Sequence, residues 1–185
     1  MAGIDTALKG VGANGKRHAL DFYPTPPEVT KALLYFLVGR QMLLRGDVIW
    51  EPACGDMAMV DVMEDCGFRT IATDVAMGNN FLTTSPNHGF RWIITNPPFS
   101  QAEKFIRRAA LFDVPFAFLL KSQYWHSAKR LSLFEEIKPA YVLPLTWRPD
   151  FTGHGASLMD MCWVIWHGMT AQTLYIPMRK PKGEV

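Results

Sequence analysis

Cysteine is scarce in this 185-residue chain: Cys54, Cys66 and Cys162 lie far apart and form no CxxC pair. That spacing suggests neither a zinc site nor a disulfide framework, and a reducing intracellular compartment is the simple expectation. The histidines are equally dispersed. His18, His88, His126, His154 and His167 include no pair at helical i, i+4 spacing, so no metal site is expected. No apolar run reaches the roughly 18–20 residues that a membrane span needs, and the N-terminus lacks the apolar core of a signal peptide. A cytoplasmic protein with no membrane partner is expected. Net charge is low as well, at +2. Any affinity for nucleic acid must therefore come from a local patch. There is no internal repeat and no low-complexity segment.

What is present is apolar. Hydrophobic residues make up 49% of the chain, too many for a disordered polypeptide and enough for one sizeable core. Residues 1–20 hold Gly3, Gly10, Gly12 and Gly15 with Lys9, Lys16 and Arg17. They read as a flexible basic arm, either touching a nucleic-acid backbone or serving as a plain tail. Residues 21–185 are expected to form a single domain. Tyr23-Pro24-Thr25-Pro26-Pro27 punctuates its start. Thr25 as N-cap, proline in the first turn and Glu28 three residues on predict a helix.

Short apolar runs then alternate with helical patterns. Strands are expected at 48–50, 69–73, 91–95, 114–120 and 140–145. Helices are expected at 57–66, closed by Gly67, at 101–112 and at 127–137. Residues 161–166 and 173–176 read as a closing antiparallel pair. The alternation argues for an α/β fold with a mainly parallel sheet. In such sheets ligands bind beyond the carboxyl ends of the strands, near the point where strand order reverses. Asp56, Asp74 and Asn96 all fall just after predicted strands.

Asn96-Pro97-Pro98-Phe99 is the most specific of these strand ends. Asn96 offers a side-chain carbonyl acceptor. Pro97 has no N–H, so its carbonyl is a pure acceptor, and Pro98 holds Pro97 extended. Phe99 adds a flat face. Two acceptors beside a ring suit a planar substrate that carries an amino group. In Glu51-Pro52-Ala53-Cys54-Gly55-Asp56, a glycine lets the backbone approach a ligand, and the helix that follows presents free N–H groups.

These motifs resemble, in order, those of the S-adenosylmethionine-dependent DNA N6-adenine methyltransferases, in particular the small type of bacteriophages and prophages. The resemblance spans roughly residues 22–167. It implies a Rossmann-like methyltransferase fold, a seven-stranded sheet with helices on both faces, and methylation of adenine N6 with S-adenosyl-L-methionine as cofactor. It makes Asn96, Pro97, Pro98 and Phe99 catalytic. It places Tyr23, Thr25, Pro26, Glu51, Ala53, Gly55, Asp56, Asp74, Asn80 and Phe81 at the cofactor, with Thr25 at its methionine end and Tyr23 facing the substrate side. Asp74 would take the ribose hydroxyls, or else cap a turn. Phe81 would stack on the cofactor purine, or fill the core. Two positions depart from the family pattern: Met57 stands where a second glycine is usual, and Asn80 replaces an acid.

The resemblance also implies a DNA partner, with the target adenine flipped from the duplex. Lys121, Trp125 and Arg148 are candidates for phosphate contact and stacking. Lys129 and Arg130 read as a solvated helix face. Only 39 residues separate Asp56 from Asn96, and 19 follow Trp166. Neither interval holds a separate target-recognition domain. Selectivity is thus expected from short loops at 85–90 and 151–160 or from a second subunit, in a monomer or a homodimer. No Pro-Cys pair is present, and cytosine-5 methylation through a thiol is not expected. An RNA base amino-methyltransferase, a protein glutamine methyltransferase and a binding module that has lost catalysis remain as alternatives.

Overall fold

Apolar residues alternate along the strands and sort to two faces, and this sorting builds the molecule. The computed structural model describes residues 24–86, 89–153 and 159–181. Seven strands form one sheet: β1 (Val48–Glu51), β2 (Arg69–Ala72), β3 (Trp92–Thr95), β4 (Phe116–Lys121), β5 (Tyr141–Pro144), β6 (Met161–Trp166) and β7 (Leu174–Tyr175). Their spatial order is β2-β1-β3-β4-β6-β5-β7. All neighbours are parallel except at β6, which runs antiparallel to both β4 and β5.

Among the described residues four α-helices cover the sheet: α1 (Pro27–Gly39), α2 (Ala58–Asp65), α3 (Ala102–Ala109) and α4 (Leu131–Glu136). Helices α1 and α2 pack with Ile49, Trp92, Ile94, Ala117, Leu119 and Trp163 on one face. Residues of α3 and Leu133 of α4 pack with Trp50, Ile93, Phe116, Phe118, Leu120 and Val164 on the other. Period-two alternation along β3 and β4 sends neighbours to opposite faces. In α3, buried Ala102, Phe105, Ile106 and Ala109 follow the i, i+3, i+4, i+7 spacing of an amphipathic helix. Four core tryptophans each place their indole N–H on an oxygen: Trp50 on Thr73 Oγ1, Trp92 on the Met42 carbonyl, Trp163 on that of Val29, and Trp166 on that of Ile137. A buried indole can stay in such a core because its one donor is satisfied.

The structure corrects three sequence expectations. Thr25 is not the N-cap of α1. Pro26 holds that place, its carbonyl accepts from Val29 N–H at 2.9 Å, and Pro27 at the first helical position has no N–H to cap. Strands β6 and β7 do not pair with each other. Every residue of β6 is buried, so it needs a neighbour at each edge and lies between β4 and β5, whereas exposed β7 pairs in parallel with the outer edge of β5. The helices expected at 101–112 and 127–137 are broken by 3-10 turns at Phe99–Gln101, Ala110–Phe112 and Ala128–Arg130. Asp113 then ends the first of these runs in the left-handed conformation, at φ +53°.

Candidate active site

Strand order reverses at β1. The chain passes from β1 through α2 to β2 on one side, then crosses to β3 on the other. The carboxyl ends of β1 and β3 therefore open a crevice of the kind that binds ligands in open α/β sheets. The segments carrying Glu51, Gly55, Asp74 and Asn96 all converge there.

Glu51 closes β1 and is 1% exposed. Its Oε1 accepts from Ala53 N–H at 3.1 Å, while Oε2 has no hydrogen-bond partner among the described residues. Burial pushes its pKa up to about 8; the nearby Thr95 hydroxyl and the Ala53 N–H pull it down, and the Asp74 charge adds to the rise. The Thr95 hydroxyl likewise forms no complete hydrogen bond, so its effect is that of a close dipole.

The loop after β1 is tied to β2 by backbone. Thr73 N–H donates to the Glu51 carbonyl at 2.9 Å, and Cys54 N–H donates to that of Thr73 at 3.1 Å. Asp74 then accepts from Gly55 N–H through Oδ2 at 3.1 Å and from Ala76 N–H through Oδ1 at 2.8 Å. Asp74 thus caps the turn that follows β2 and also pins the glycine loop. Gly55 has φ +52° and Met57 φ +74°. The left-handed region admits glycine freely and costs a residue with a Cβ about 1–2 kcal/mol. Met57 holds this conformation as the N-cap residue of α2, while its side chain packs against the α1–α2 core. Exposed Asp56 accepts from Ala58 N–H at 3.3 Å. Cys54 is buried, and burial raises its thiol to about 11, with the Glu51 and Asp74 charges adding to the effect. Such a thiol is no nucleophile at neutral pH.

Asn80 and Phe81 resolve differently. Asn80 Oδ1 accepts from Leu82 N–H at 3.0 Å, forming a local turn. Phe81 is 2% exposed, with its ring centroid 5.0 Å from Trp50 and 4.7 Å from Phe105. It fills the core rather than offering a stacking face.

Asn96 stands half-buried at the end of β3. Its Nδ2 donates to Thr25 Oγ1 at 3.0 Å, across 71 residues of chain. Pro97 is buried beside it, and Pro98 leads into the turn that carries Phe99. The Lys121 ammonium, at the end of β4, lies 4.1 Å from the centre of the Phe99 ring. Next to this pair is a half-open cavity of about 160 Å³ with Ala102, Leu120, Gln123, Tyr124 and Arg130 in its walls.

Tyr124 and Gln123 were not legible as site residues. Arg130 corrects an expectation: its Nη1 donates to the Tyr124 carbonyl at 2.9 Å and its guanidinium stacks 4.0 Å over the Tyr124 ring. It is a wall of the cavity, not a solvated face. Trp125 is half-buried and packs 4.5 Å from Phe134. Arg148 is exposed and pairs with Asp160 at 2.8 Å. Neither lines the cavity. Tyr23, the first 20 residues, and parts of both loops expected to confer selectivity lie outside the described residues. Among the described residues no cluster of His, Cys, Asp and Glu could hold a metal, and no helix is long and apolar enough to cross a membrane.

No protein-family model and no curated protein sequence matches the chain. Solved structures do match. A type I restriction-modification methyltransferase subunit from Streptococcus thermophilus superposes with TM-score 0.61 at 13% identity, covering 84% of this chain and 47% of that one. The fold is that of the Rossmann-like methyltransferases. A putative class I S-adenosylmethionine-dependent methyltransferase from Listeria monocytogenes gives TM-score 0.62 at 11% identity, over 89% of this chain and 69% of that one. A putative RNA methyltransferase from Pyrococcus horikoshii gives TM-score 0.55 at 11% identity, over 89% and 96%. The chain thus spans less than half of the restriction-modification subunit but 96% of the archaeal chain.

Proposed function

We propose that the chain is an S-adenosylmethionine-dependent methyltransferase whose substrate is the exocyclic N6 amino group of adenine in DNA. The observation that carries this reading is Asn96 at the end of β3. Its amide nitrogen donates to Thr25 Oγ1, and its side-chain oxygen is the acceptor type that a substrate amino group needs. The Pro97 carbonyl is a second acceptor by chemistry, and Phe99 supplies a ring beside them.

The residues of the crevice fit the cofactor. Glu51 Oε2 is a buried oxygen without a partner among the described residues, which suits the ammonium of a methionine moiety. Gly55 adopts a positive φ where the loop turns into α2, and Asp74 retains lone pairs for hydroxyls beyond its two backbone bonds. Two residues fit less well: Met57 carries a side chain at a left-handed position, and the Asn80 carbonyl is already engaged.

When bound, the cofactor supplies a methyl group on a sulfonium, and transfer is a direct displacement in which the N–C bond forms as the C–S bond breaks. The protein must overcome the poor nucleophilicity of an amino group whose lone pair is delocalised into the ring. Asn96 and the Pro97 carbonyl would accept its two N–H bonds and favour a more pyramidal nitrogen. Phe99 would hold the base plane. Fixing both reactants in attack geometry is worth up to about 7–11 kcal/mol in favourable cases. A duplex substrate must also present the base outside its stack, which costs a few kcal/mol. Lys121 and Arg130 line the cavity, and as cations they would support an extruded nucleotide.

RNA is the second reading, favoured by one observation: the archaeal neighbour described as a putative RNA methyltransferase is matched over 96% of its length. One experiment separates these. Labelled S-adenosylmethionine is offered with unmethylated DNA and with RNA, and the nucleosides are analysed by mass spectrometry. N6-methyladenine from DNA is expected, and Asn96→Ala should abolish it while cofactor binding persists. Methyl groups in RNA alone would replace the substrate. No transfer to either would leave a binding module.

A further inference from the structure

We infer that Thr25 is a positioning residue, which acts through Asn96 by holding the amide with its oxygen toward the substrate. The inference rests on the reading of Asn96 as the acceptor for an amino group. A carboxamide is nearly isosteric under a half-turn, yet the two orientations are opposite in chemistry. One presents an acceptor to the substrate amino group. The other sets NH2 against NH2. The amide must therefore be held in place from outside, and Thr25 is one group that holds it.

Thr25 is well built for this. It is 4% exposed, and its hydroxyl is the acceptor for Asn96 Nδ2 at 3.0 Å. Prolines on both sides, Pro24 and Pro26, stiffen its backbone, and a residue before proline is confined to extended conformations. A β-branched side chain is itself stiff at χ1. The hydroxyl therefore has little freedom. It is also released from helix capping, because Pro26 is the N-cap residue of α1 and Pro27 offers no N–H. A hydroxyl can serve either end of an amide, so what Thr25 fixes is the place of the Asn96 side chain, here by accepting from its Nδ2.

The family resemblance assigns Thr25 to the methionine end of the cofactor instead. The two roles make different predictions. Thr25→Val keeps the shape and removes the hydroxyl, while Thr25→Ser keeps the hydroxyl and loses the methyl. If Thr25 positions Asn96, Thr25→Val lowers kcat at saturating cofactor by roughly tenfold to a hundredfold, the loss of one hydrogen bond at the reacting centre. The cofactor Kd, read by calorimetry, stays within about twofold. Thr25→Ser restores most of the rate. A weakened cofactor Kd with unchanged kcat would overturn the inference in favour of a cofactor contact. Equal impairment in both variants would reduce Thr25 to packing.

A second readout does not depend on activity. The side-chain amide resonances of Asn96, assigned by their disappearance in Asn96→Asp, should shift and exchange faster with water in Thr25→Val but not in Thr25→Ser. Unchanged resonances would overturn the inference even if the protein methylates DNA. A shift in a protein that methylates nothing would keep the link and reject the function. Should Thr25→Val fail to fold, Thr25→Ala gives the same comparison.

Discussion

The Asp74 carboxylate accepts from the backbone N–H of Gly55 at 3.1 Å, tying the end of β2 to the loop that leaves β1. Its second oxygen accepts from Ala76 N–H at 2.8 Å. One side chain thus organises two loops at the mouth of the crevice. Asp74→Asn keeps one acceptor and turns an NH2 toward one of the two N–H donors. It should cost about 1.5–3 kcal/mol of stability, the range for a hydrogen bond to a charged group. Cofactor affinity should fall with it, because the glycine loop loses its anchor. Urea denaturation and calorimetry check both. Wild-type values for Asp74→Asn in both would show that the loops hold themselves.

Glu51 makes stability depend on pH in a direction that can be worked out. Its folded pKa, about 8, lies above the ordinary value of 4.5 for a free glutamate. Between those values the folded protein keeps a proton that the unfolded chain has released. Stability is therefore full below about pH 4.5, falls as pH rises toward 8, and is level above that. Glu51→Gln removes the titration and keeps the shape. Its stability relative to wild type should grow across that window, on the order of several kcal/mol at its upper end. Denaturation curves at pH 5, 6.5 and 8 read this directly. A difference independent of pH would mean that the buried carboxyl is not protonated in the fold.

Met57 sits at φ +74° with a side chain that partly covers the α1–α2 core. Replacement by glycine relieves the left-handed strain but loses apolar contact and increases the freedom of the unfolded chain. These effects oppose one another, and the net change in stability should stay within about 1 kcal/mol. Replacement by valine adds a β-branch at the same dihedral and should cost about 1–2 kcal/mol more than glycine. Chemical denaturation of Met57→Gly and Met57→Val gives the comparison. Equal stabilities would show that the loop relaxes out of the left-handed region.

Which features were legible from sequence follows from the range of the interactions involved. The strands preceding Glu51, Asp74 and Asn96 are short apolar runs ended by a polar residue, so local pattern located them to within a residue or two. The parallel sheet followed from alternation with helices. The place of β6 did not, because pairing partners depend on which strands bury both faces, and that is decided only when the sheet is assembled. The Thr25–Asn96 bond joins residues 71 positions apart and leaves no local mark. A proline-flanked threonine before a helix reads as a cap, and only the missing N–H of Pro27 argues otherwise. Phe81 was ambiguous because an aromatic after a loop asparagine suits a ligand or a core equally, and the rings of Trp50 and Phe105 decide it. Tyr124 and Arg130 reach the cavity through a 3-10 turn and a stacking contact, neither of which has a strong sequence period.

Lys121 and Arg148 were expected to behave alike, and their surroundings now separate them. Lys121 covers the Phe99 ring at 4.1 Å and forms part of the cavity wall. Arg148 is exposed, paired with an equally exposed Asp160, and away from the cavity. An exposed ion pair is worth no more than about 1 kcal/mol, so Arg148 can exchange its carboxylate for a phosphate at little cost. Each lysine or arginine that meets a phosphate adds about 0.9 to the slope of log affinity against log salt. Arg148→Gln should therefore weaken DNA binding and flatten that slope by about one, with kcat at saturating DNA unchanged. Lys121→Gln removes a cation from the face of the ring proposed to hold the base. It should lower kcat as well as affinity, while cofactor binding is retained. Titrations at several salt concentrations, with turnover at saturating DNA, distinguish the two. If Lys121→Gln matches wild type in both slope and kcat, the cavity beside Phe99 is not where the substrate enters.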